Sequence, residues 1–387
     1  MSLAQANTSS LKYVVETTAG TTPAAAMTKV NYTTSSLNAT INTTVSATIE
    51  SSRNVVDLVR TNGSSGGEIG FELRFAEYRP FVESALGSAF STAVSVSATT
   101  ISASATDNSL NDSGAGFSTA NILPGHWIRV SGFTTNGTTF IAKVVSVTTS
   151  KIVVSHKTLV NEVAGAVITV KGSSIRNGAV KKTFTLEEEF TDLTTTFVNY
   201  KGMQVNTMTL NAASGSIVNG NFGFMGLTTT YTTATAGTGA EVAASTNGIM
   251  SATANVGTIF IDGTAVSGTY FKNVNLSTTN NGRSLDAISN LYPVAVNLGS
   301  FNATFAVTAF FDSTTLLAKF INGTSFALAY SFYDAAGNYI VVDAPYCKFN
   351  AGTLSGKALN SDIMQDLSIT ALKDPTHGYM LQISELG

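Results

Sequence analysis

The sequence predicts a mainly β protein: a β-sandwich or barrel-forming fold with one short helix and an inserted small β-domain. Hydrophobic and polar residues alternate along many short segments, which is the period of a half-buried strand. The polar positions are filled mostly by Thr, which favours strands, and by Gly, Asn and Ser, which favour turns. Charged residues make up only 12 % of the 387 residues. Such low charge suits surfaces that are buried against other subunits.

The first twenty residues are polar, and we expect them to form a terminal arm rather than part of the core. They lack the basic and apolar regions of a signal peptide. A run of about eighteen apolar residues is also missing, so no membrane span is expected. Cys347 is the single cysteine, which excludes an internal disulfide. The net charge of −3 predicts no strong electrostatic affinity for nucleic acid.

The segment 37–87 is predicted to form a strand, a long polar loop, a second strand and a short helix. The first strand alternates from Ile41 to Ile49 and ends at Glu50, and the second covers 68–75. The loop, residues 51–67, is much longer than a hairpin turn requires. It carries Arg53, Asp57 and Arg60, so we expect it to be either mobile or used for contact.

The one predicted helix follows the second strand. Arg79-Pro80 places a proline at or near the first helical position, where its missing N–H costs nothing. Gly87 suits the helix end, where a left-handed residue is needed. The helix is expected to pack Phe81, Ala85 and Leu86 against a sheet.

Residues 92–174 are predicted to form the inserted domain, because several short strands with regular turn signals follow one another there. Trp127 and Arg129 could bind a sugar in this domain, but a core tryptophan is the favoured interpretation. Beyond residue 175 the alternating pattern resumes, with predicted strands near 183–190, 203–210, 217–224, 259–261, 270–276, 301–311, 326–332, 339–342, 364–372 and 379–383. The Thr-, Ala- and Gly-rich segment 228–256 is expected to be a loop.

A series of short motifs occurs in a distinctive order. The first motif, ETTAGTTP at 16–23, precedes the predicted strand that ends at Glu50, shortly before Arg53. The other motifs follow that strand in this order: GGEIGFEL at 66–73, ESALG at 83–87, KTFTLE at 182–187, YKGMQV at 200–205, FGFMG at 222–226, DAP at 343–345 and ALKDP at 371–375. Together they resemble the major tail tube proteins of long-tailed bacteriophages with non-contractile tails (siphophages). The resemblance covers roughly 11–88 and 175–386, so the 92–174 segment departs from the pattern.

The resemblance implies a structural subunit without enzymatic activity or cofactor, located in the virion tail and assembled in the host cytoplasm. Homo-hexameric rings would stack into a hollow tube that first houses the tape-measure protein and later conducts double-stranded DNA. Tail terminator and distal tail proteins would bind the tube ends. In this interpretation 1–20 is an N-terminal arm, 21–91 and 175–387 form the tube domain, and 92–174 lies on the tube exterior and can be deleted without loss of ring formation.

DNA must slide through such a tube, so acidic and small polar groups suit its lumen and basic groups do not. We therefore predict that Glu50, Glu68 and Glu72 face the lumen; the alternative is an ordinary solvated sheet face. Arg74 is predicted to share that face, which is compatible with the lumen prediction only if it pairs with a glutamate or lies at a ring edge. Arg53, Asp57 and Arg60 are predicted to lie in a loop that contacts the adjacent ring.

The sequence offers little catalytic chemistry. His126, His156 and His377 occur without zinc-ligand spacing, so neither a metal nor a catalytic site is predicted. Glu187, Glu188 and Glu189 alternate between strand faces and are interpreted as charged surface. Two alternative functions stay open at this point. One is a β-rich adhesin or carbohydrate-binding surface protein, and the other is a glycan-degrading enzyme, which needs two carboxylates about 5 to 10 Å apart in a groove.

Overall fold

The structure, a computed structural model, describes residues 3–193 and 196–387 and consists mainly of antiparallel strands. Besides a 3₁₀ turn at Ala6–Thr8, it has two helices, α1 (Arg79–Leu86) and α2 (Thr315–Ile321). The strands are β1 (Ser9–Glu16), β2 (Thr28–Lys29), β3 (Thr34–Ser35), β4 (Asn38–Val45), β5 (Leu58–Glu72), β6 (Val94–Ala98), β7 (Ile101–Ser104), β8 (Ser109–Asp112), β9 (Trp127–Ser131), β10 (Thr139–Val147), β11 (Lys151–Ser155), β12 (Ile168–Arg176), β13 (Thr183–Phe190), β14 (Phe197–Ala213), β15 (Asn219–Gly226), β16 (Thr228–Thr232), β17 (Val256–Ile261), β18 (Thr264–Ala265), β19 (Phe271–Thr279), β20 (Arg283–Leu285), β21 (Ala295–Asn297), β22 (Asn302–Phe310), β23 (Phe326–Tyr333), β24 (Tyr339–Ser355), β25 (Met364–Ala371) and β26 (Gln382–Leu386). The predicted mainly β fold class is confirmed.

One long antiparallel sheet forms the backbone of the main body. Its strands follow one another in the order β4, β5, β15, β14, β19, β22, β25, β24, β23 and β17. A smaller sheet contains β2, β1, β13, the first part of β14, and β16. Because β14 belongs to both sheets, it joins them covalently. Side chains from both sheets share one apolar core.

The predicted helix is present as α1, with Pro80 in its first turn. Gly87 ends it in the left-handed conformation at φ 61°. Phe81 lies between the two sheets, since its ring is 5.1 Å from Phe184 on β13 and 5.5 Å from Phe222 on β15. The sequence pattern does not predict helix α2, which is only seven residues long and follows the long alternating strand β22.

The N-terminal segment departs from the prediction of a polar arm. Strand β1 pairs with β13 over its whole length, and Leu11 and Lys12 are each 1 % exposed. Residues 9–16 of this segment are therefore part of the smaller sheet. The reason is local: the alternation from Ser9 to Glu16 gives the segment an apolar face, which packs on the core.

The segment 37–87 also departs from its prediction. Strand β4 ends at Val45 and β5 already begins at Leu58, so residues 58–67 are strand and the connection is 46–57. The register pairs Asn38 with Gly66 and Val45 with Leu58. Three glycines and several polar residues made 58–67 look like a loop, but cross-strand hydrogen bonds with β4 hold it extended.

Residues 94–170 have an apolar core of their own, built from β6 to β12 and separate from the core of the main body. Strand β12 belongs to both parts. Its first half pairs with β6 and β9, and its second half, from Ser173 to Arg176, pairs with the C-terminal strand β26. Removing 92–174 would therefore cut through a strand that the main body uses. The Thr-rich segment 228–256, predicted to be a loop, begins with the short strand β16.

A buried carboxylate on β26 makes the stability of this region depend on pH. Glu385 is 8 % exposed and lies 3.7 Å from Arg79. Burial outweighs the attraction of Arg79 and raises the pKa of Glu385 from 4.5 to about 7. Between these two values the folded protein binds more protons than the unfolded chain, so this residue's contribution to stability falls as pH rises.

We predict that Glu385→Gln removes this pH dependence. Relative to the variant, the wild type should lose about 3 kcal/mol of unfolding free energy between pH 4.5 and pH 7. Urea unfolding of both proteins at several pH values across this window measures the difference. Parallel pH profiles for the two proteins would contradict the prediction.

Candidate assembly surfaces

Strands β4 and β5 form a two-stranded ribbon whose outer half has little cover from the rest of the protein. Most residues of 38–62 are exposed, on both faces of the ribbon. Its exposed side chains include large apolar ones: Ile41, Val45, Ile49, Val55, Val56, Leu58 and Val59. A lone two-stranded ribbon is marginally stable in water, and clustered exposed apolar residues mark interaction sites. The ribbon therefore has the properties of a contact surface.

A neighbouring loop supports the base of the ribbon. The amide of Gly63 donates a hydrogen bond to the carbonyl of Leu291 at 2.6 Å. A Cβ atom at Gly63 would lie 2.9 Å from both Ile41 and the ring of Tyr292. Only a glycine at position 63 lets the backbone of β5 come this close to Ile41 and Tyr292. The base of the ribbon is therefore fixed, while its outer half extends beyond the supporting loop.

The charged residues predicted for the contact loop all lie at the outer end of this ribbon. Arg53 and Asp57 belong to the connection 46–57, and Arg60 is on β5; all three are exposed. Glu50 lies in the same connection, where it accepts a hydrogen bond from Ser52 at 2.7 Å. Since β4 ends five residues earlier, Glu50 is not on the polar sheet face that contains Glu68. Ten residues of β5, about 33 Å of strand, separate Glu68 from the outer end of the ribbon at Leu58.

Across six strands of the long sheet, the outer face consists mainly of small polar residues, with the apolar pair Phe310 and Met364 at one end. The pairing register across β5, β15, β14, β19, β22 and β25 aligns these positions. They are Glu68, Gly70, Glu72, Asn219, Asn221, Gly223, Thr207, Thr209, Asn211, Asn275, Ser277, Thr279, Asn302, Thr304, Ala306, Thr308, Asp366, Ser368 and Thr370. None of these positions holds a lysine or arginine. We call this surface the polar face; beyond it, Lys348 on β24 lies beside Thr370.

Glu68 and Glu72 lie on the polar face, as their register with Gly223 and Asn219 shows. Arg74 follows the end of β5 and is engaged elsewhere. Its Nε atom is 3.7 Å from Glu77, and its guanidinium donates to the carbonyl of Asn247. The condition that Arg74 pairs with a glutamate is thus met by Glu77. Of the three glutamates predicted to share a face, two do so and Glu50 does not.

The acidic cluster 187–189 is not plain charged surface. Glu187 is fully buried, 3.6 Å from Lys12, and accepts hydrogen bonds from Thr235 and the amide of Ala236. Lys12 also contacts Glu189 at 2.6 Å and Glu241. The cluster ties the 233–242 loop to the smaller sheet. Alternation separates Glu188 from Glu187 and Glu189, but it gives no sign that a buried lysine contacts both of the latter.

The 94–170 part is joined to the main body by a buried contact. Trp127 is completely buried, with its ring 5.8 Å from Phe260; the core interpretation of Trp127 is therefore confirmed and sugar stacking on it is excluded. Beside it, Lys143 and Asp343 form an ion pair of 2.7 Å, with side chains 11 % and 1 % exposed. Tyr379 donates a hydrogen bond to the same Asp343 oxygen at 3.4 Å.

We predict that Asp343→Ala destabilises the protein by about 3 to 5 kcal/mol, because it leaves the Lys143 ammonium buried without its partner. Lys151→Ala is the matched control, since the Lys151–Asp107 pair is of similar length but largely exposed and such pairs contribute little. Denaturant unfolding of the two variants measures both losses. Equal losses would show that the buried pair is no more important than the surface pair.

Two of the three histidines and the single thiol lie in environments that disfavour their charged forms. Among the described residues, no cluster of His, Cys, Asp or Glu could hold a metal ion, and no helix is long and apolar enough to cross a membrane. Burial lowers the pKa of both His126 and His156 to about 4, so both are neutral at pH 7. Burial raises the pKa of the Cys347 thiol to about 12, which makes it a poor nucleophile.

The exposed apolar ribbon and the open edge of β4 have the properties of contact surfaces. Comparison with known families identifies the kind of assembly. The family model for phage tail tube proteins matches residues 6–371, and the chain belongs to this family. It is a structural component of a phage tail that assembles into a tube, so an adhesin or a glycan-degrading enzyme is not favoured. A search of curated proteins finds no match.

Proposed function

We propose that this tail tube protein serves a siphophage, a phage with a long non-contractile tail, and that it forms stacked hexameric rings. The motif pattern along 11–88 and 175–386 supports the siphophage assignment. The open edge of β4 supports lateral assembly: among the described strands it pairs with β5 alone, and an unpaired edge is a template for a strand from a neighbouring subunit.

The observation that carries the proposal is the polar face. A lumen that passes DNA must not hold it, and lysine or arginine would bind phosphate strongly. The polar face offers Asn, Thr and Ser side chains with Glu68 and Glu72 at one side and Asp366 at the other. We infer that this face lines the lumen, first around the tape-measure protein and then around double-stranded DNA during ejection.

Strand geometry requires several copies for such a lumen. Strands about 4.8 Å apart and tilted by about 40° each take roughly 6 Å of a barrel's circumference. A bore of roughly 20 Å, lined by side chains, then needs about 16 strands or more. The polar face of one subunit spans six strands, so at least three copies must stand side by side, and six copies leave ample width.

The ribbon is proposed to contact the adjacent ring through its outer end. Burying the ribbon's apolar side chains there would remove from water the apolar surface that a single subunit leaves exposed. Arg53, Asp57 and Arg60, with Glu50 next to them, would set the register by pairing with charges of the next ring. Contacts of this kind repeat from ring to ring and generate a helical tube.

The 92–174 part is proposed to lie on the tube exterior, where it leaves the polar face free. Tail terminator and distal tail proteins are proposed to bind the two tube ends, and assembly is proposed to occur in the host cytoplasm. The buried contact between the 94–170 part and the main body determines how a deletion of 92–174 must be designed. A deletion of 92–174 removes residues that pair with β26 and uncovers Phe260, so a deletion variant must retain 172–176 and replace Phe260 with a polar residue.

Negative-stain electron microscopy of the purified protein at high concentration tests the proposal. We expect rings or hollow tubes with a channel of roughly 20 Å or more, the width of duplex DNA. A reconstruction of these tubes should then locate Glu68 and Glu72 at the channel wall. Compact single particles at every concentration would contradict assembly by the subunit alone, and tubes with the polar face outside would contradict the lumen assignment.

A further inference from the structure

A cleft lies where the 94–170 part meets the main body. One wall comes from Thr139, Phe140 and Lys157, and the other from β17, β23 and Tyr339. Its volume is about 680 Å³, which falls within the range of sites for small ligands, and such sites often form between domains. Neither the polar face nor the ribbon contributes to it, so tube formation as proposed does not use it.

The walls combine aromatic surface with hydroxyl groups. The rings of Tyr333 and Tyr339 lie with their centroids 5.6 Å apart at 37°, and Thr139, Thr258 and Thr269 add hydroxyls. An aromatic ring packs against apolar C–H groups, while hydroxyls donate and accept hydrogen bonds. A pyranose ring presents both kinds of surface, since its axial C–H groups make an apolar face and its rim is lined by hydroxyls.

Ser331 lies behind the wall of the cleft. It is 1 % exposed, and its hydroxyl has no hydrogen-bond partner among the described residues. The backbone of Gly257 packs against this hydroxyl, because a Cβ at 257 would lie 2.3 Å from the Ser331 oxygen. The Ser331 hydroxyl is therefore covered, and a ligand in the cleft would use the threonine hydroxyls instead.

The charges of the cleft narrow the ligand class. The lining residues that the structure describes include no Asp or Glu, so the pair of carboxylates needed to cleave a glycosidic bond is missing there. Lys157 is the single lysine or arginine among them, and its ammonium lies 5.3 Å from the centroid of the Phe140 ring. One cation is too few for a nucleic-acid backbone. A ligand with little or no charge fits this lining best.

The walls are also fixed relative to each other. Trp127 is buried at the joint next to the cleft, against Phe260, which itself lines the cleft. The Lys143–Asp343 pair holds the same joint from β10 to β24. The cleft is therefore formed before any ligand arrives, which reduces the ordering cost of binding. We propose that this cleft binds a neutral pyranose unit of a glycan without cleaving it.

A glycan array probed with the labelled full-length protein tests the proposal, followed by titration calorimetry with the free saccharides that bind. We expect at least one neutral hexose or N-acetylhexosamine to bind. Tyr333→Ala should weaken it about tenfold or more, because the stacking surface is lost. Tyr231→Ala is the matched control: this tyrosine is 72 % exposed on β16, away from the cleft, and its removal should leave the affinity unchanged.

Thr258→Trp provides a second variant that does not depend on removing a partly buried ring. Thr258 is exposed at the cleft, and a tryptophan there should fill the space and abolish binding while the melting temperature stays close to that of the wild type. The proposal is overturned by an array without any bound neutral saccharide. It is equally overturned by saccharide binding that both cleft variants retain at wild-type affinity.

Discussion

Replacing Val45 and Leu58 together by aspartate should abolish tube formation while leaving the subunit folded. The two residues face each other across the ribbon and are 52 % and 58 % exposed. Substitutions at such positions change subunit stability little, usually within about 0.5 kcal/mol each. In the assembled tube, however, the new carboxylates would be buried without partners, at a cost of several kcal/mol per charge. Sedimentation and negative-stain microscopy measure the assembly, and circular dichroism measures the fold.

Val163→Asp is the matched control for this variant. Val163 is 87 % exposed but belongs to the 94–170 part, which we propose to lie outside the tube. The same change of valine to aspartate should therefore leave tubes intact. Tubes of normal yield from the Val45→Asp, Leu58→Asp double variant would remove the ribbon from the set of assembly contacts.

The sequence predicts those parts of the fold that depend on local periodicity. Alternation from residue 68 onward and in 183–190 predicts strands, and the structure has strands at both places. The Pro80 and Gly87 signals predict the limits of α1, because each residue type has a backbone preference that only a helix end uses. Signals of this kind act over a few residues, so they are visible in the sequence.

Features that depend on distant partners are not visible in this way. Residues 58–67 are polar and glycine-rich, and only their pairing with β4 makes them a strand. Lys12 reads as a surface residue, yet it is buried because Glu189 and Glu241, far away in sequence, meet it there. The cleft beside the Trp127–Phe260 contact likewise has one wall from residues 139–157 and the other from residues 256–339, far apart in the chain.

The polar face depends partly on local periodicity and partly on partners that are distant in the sequence. Each strand reveals its own polar positions by alternation, so Glu68 and Glu72 could be assigned to one face from the sequence. The prediction that the first strand continues to Glu50 is wrong, because the end of β4 has no turn signal and the alternation runs on past Val45. That six strands align their Asn, Thr and Ser residues into one surface follows from the sheet order, which the sequence alone does not give.

This surface leads to the second large expected effect. Ser277→Lys places a cation near the middle of the polar face, at an exposed position of β19 that pairs with Thr209 and Thr304. The lysine would recur in every subunit along the tube. Because each cation binds phosphate and releases counterions, DNA ejection from virions carrying this variant should slow by about tenfold or more. Raising the salt concentration should restore the rate, since phosphate binding weakens steeply with salt.

Two controls separate a lumen effect from damage to the tube. Ser277→Asn changes the same position without charge and should eject DNA at the wild-type rate. Ser95→Lys adds the same charge at an exposed position of β6, on the part proposed to lie outside, and should also have no effect. If Ser277→Lys virions form normally and eject DNA as fast as the wild type, the polar face does not contact the passing DNA. If Ser95→Lys slows ejection instead, the inner and outer surfaces are the reverse of those proposed here.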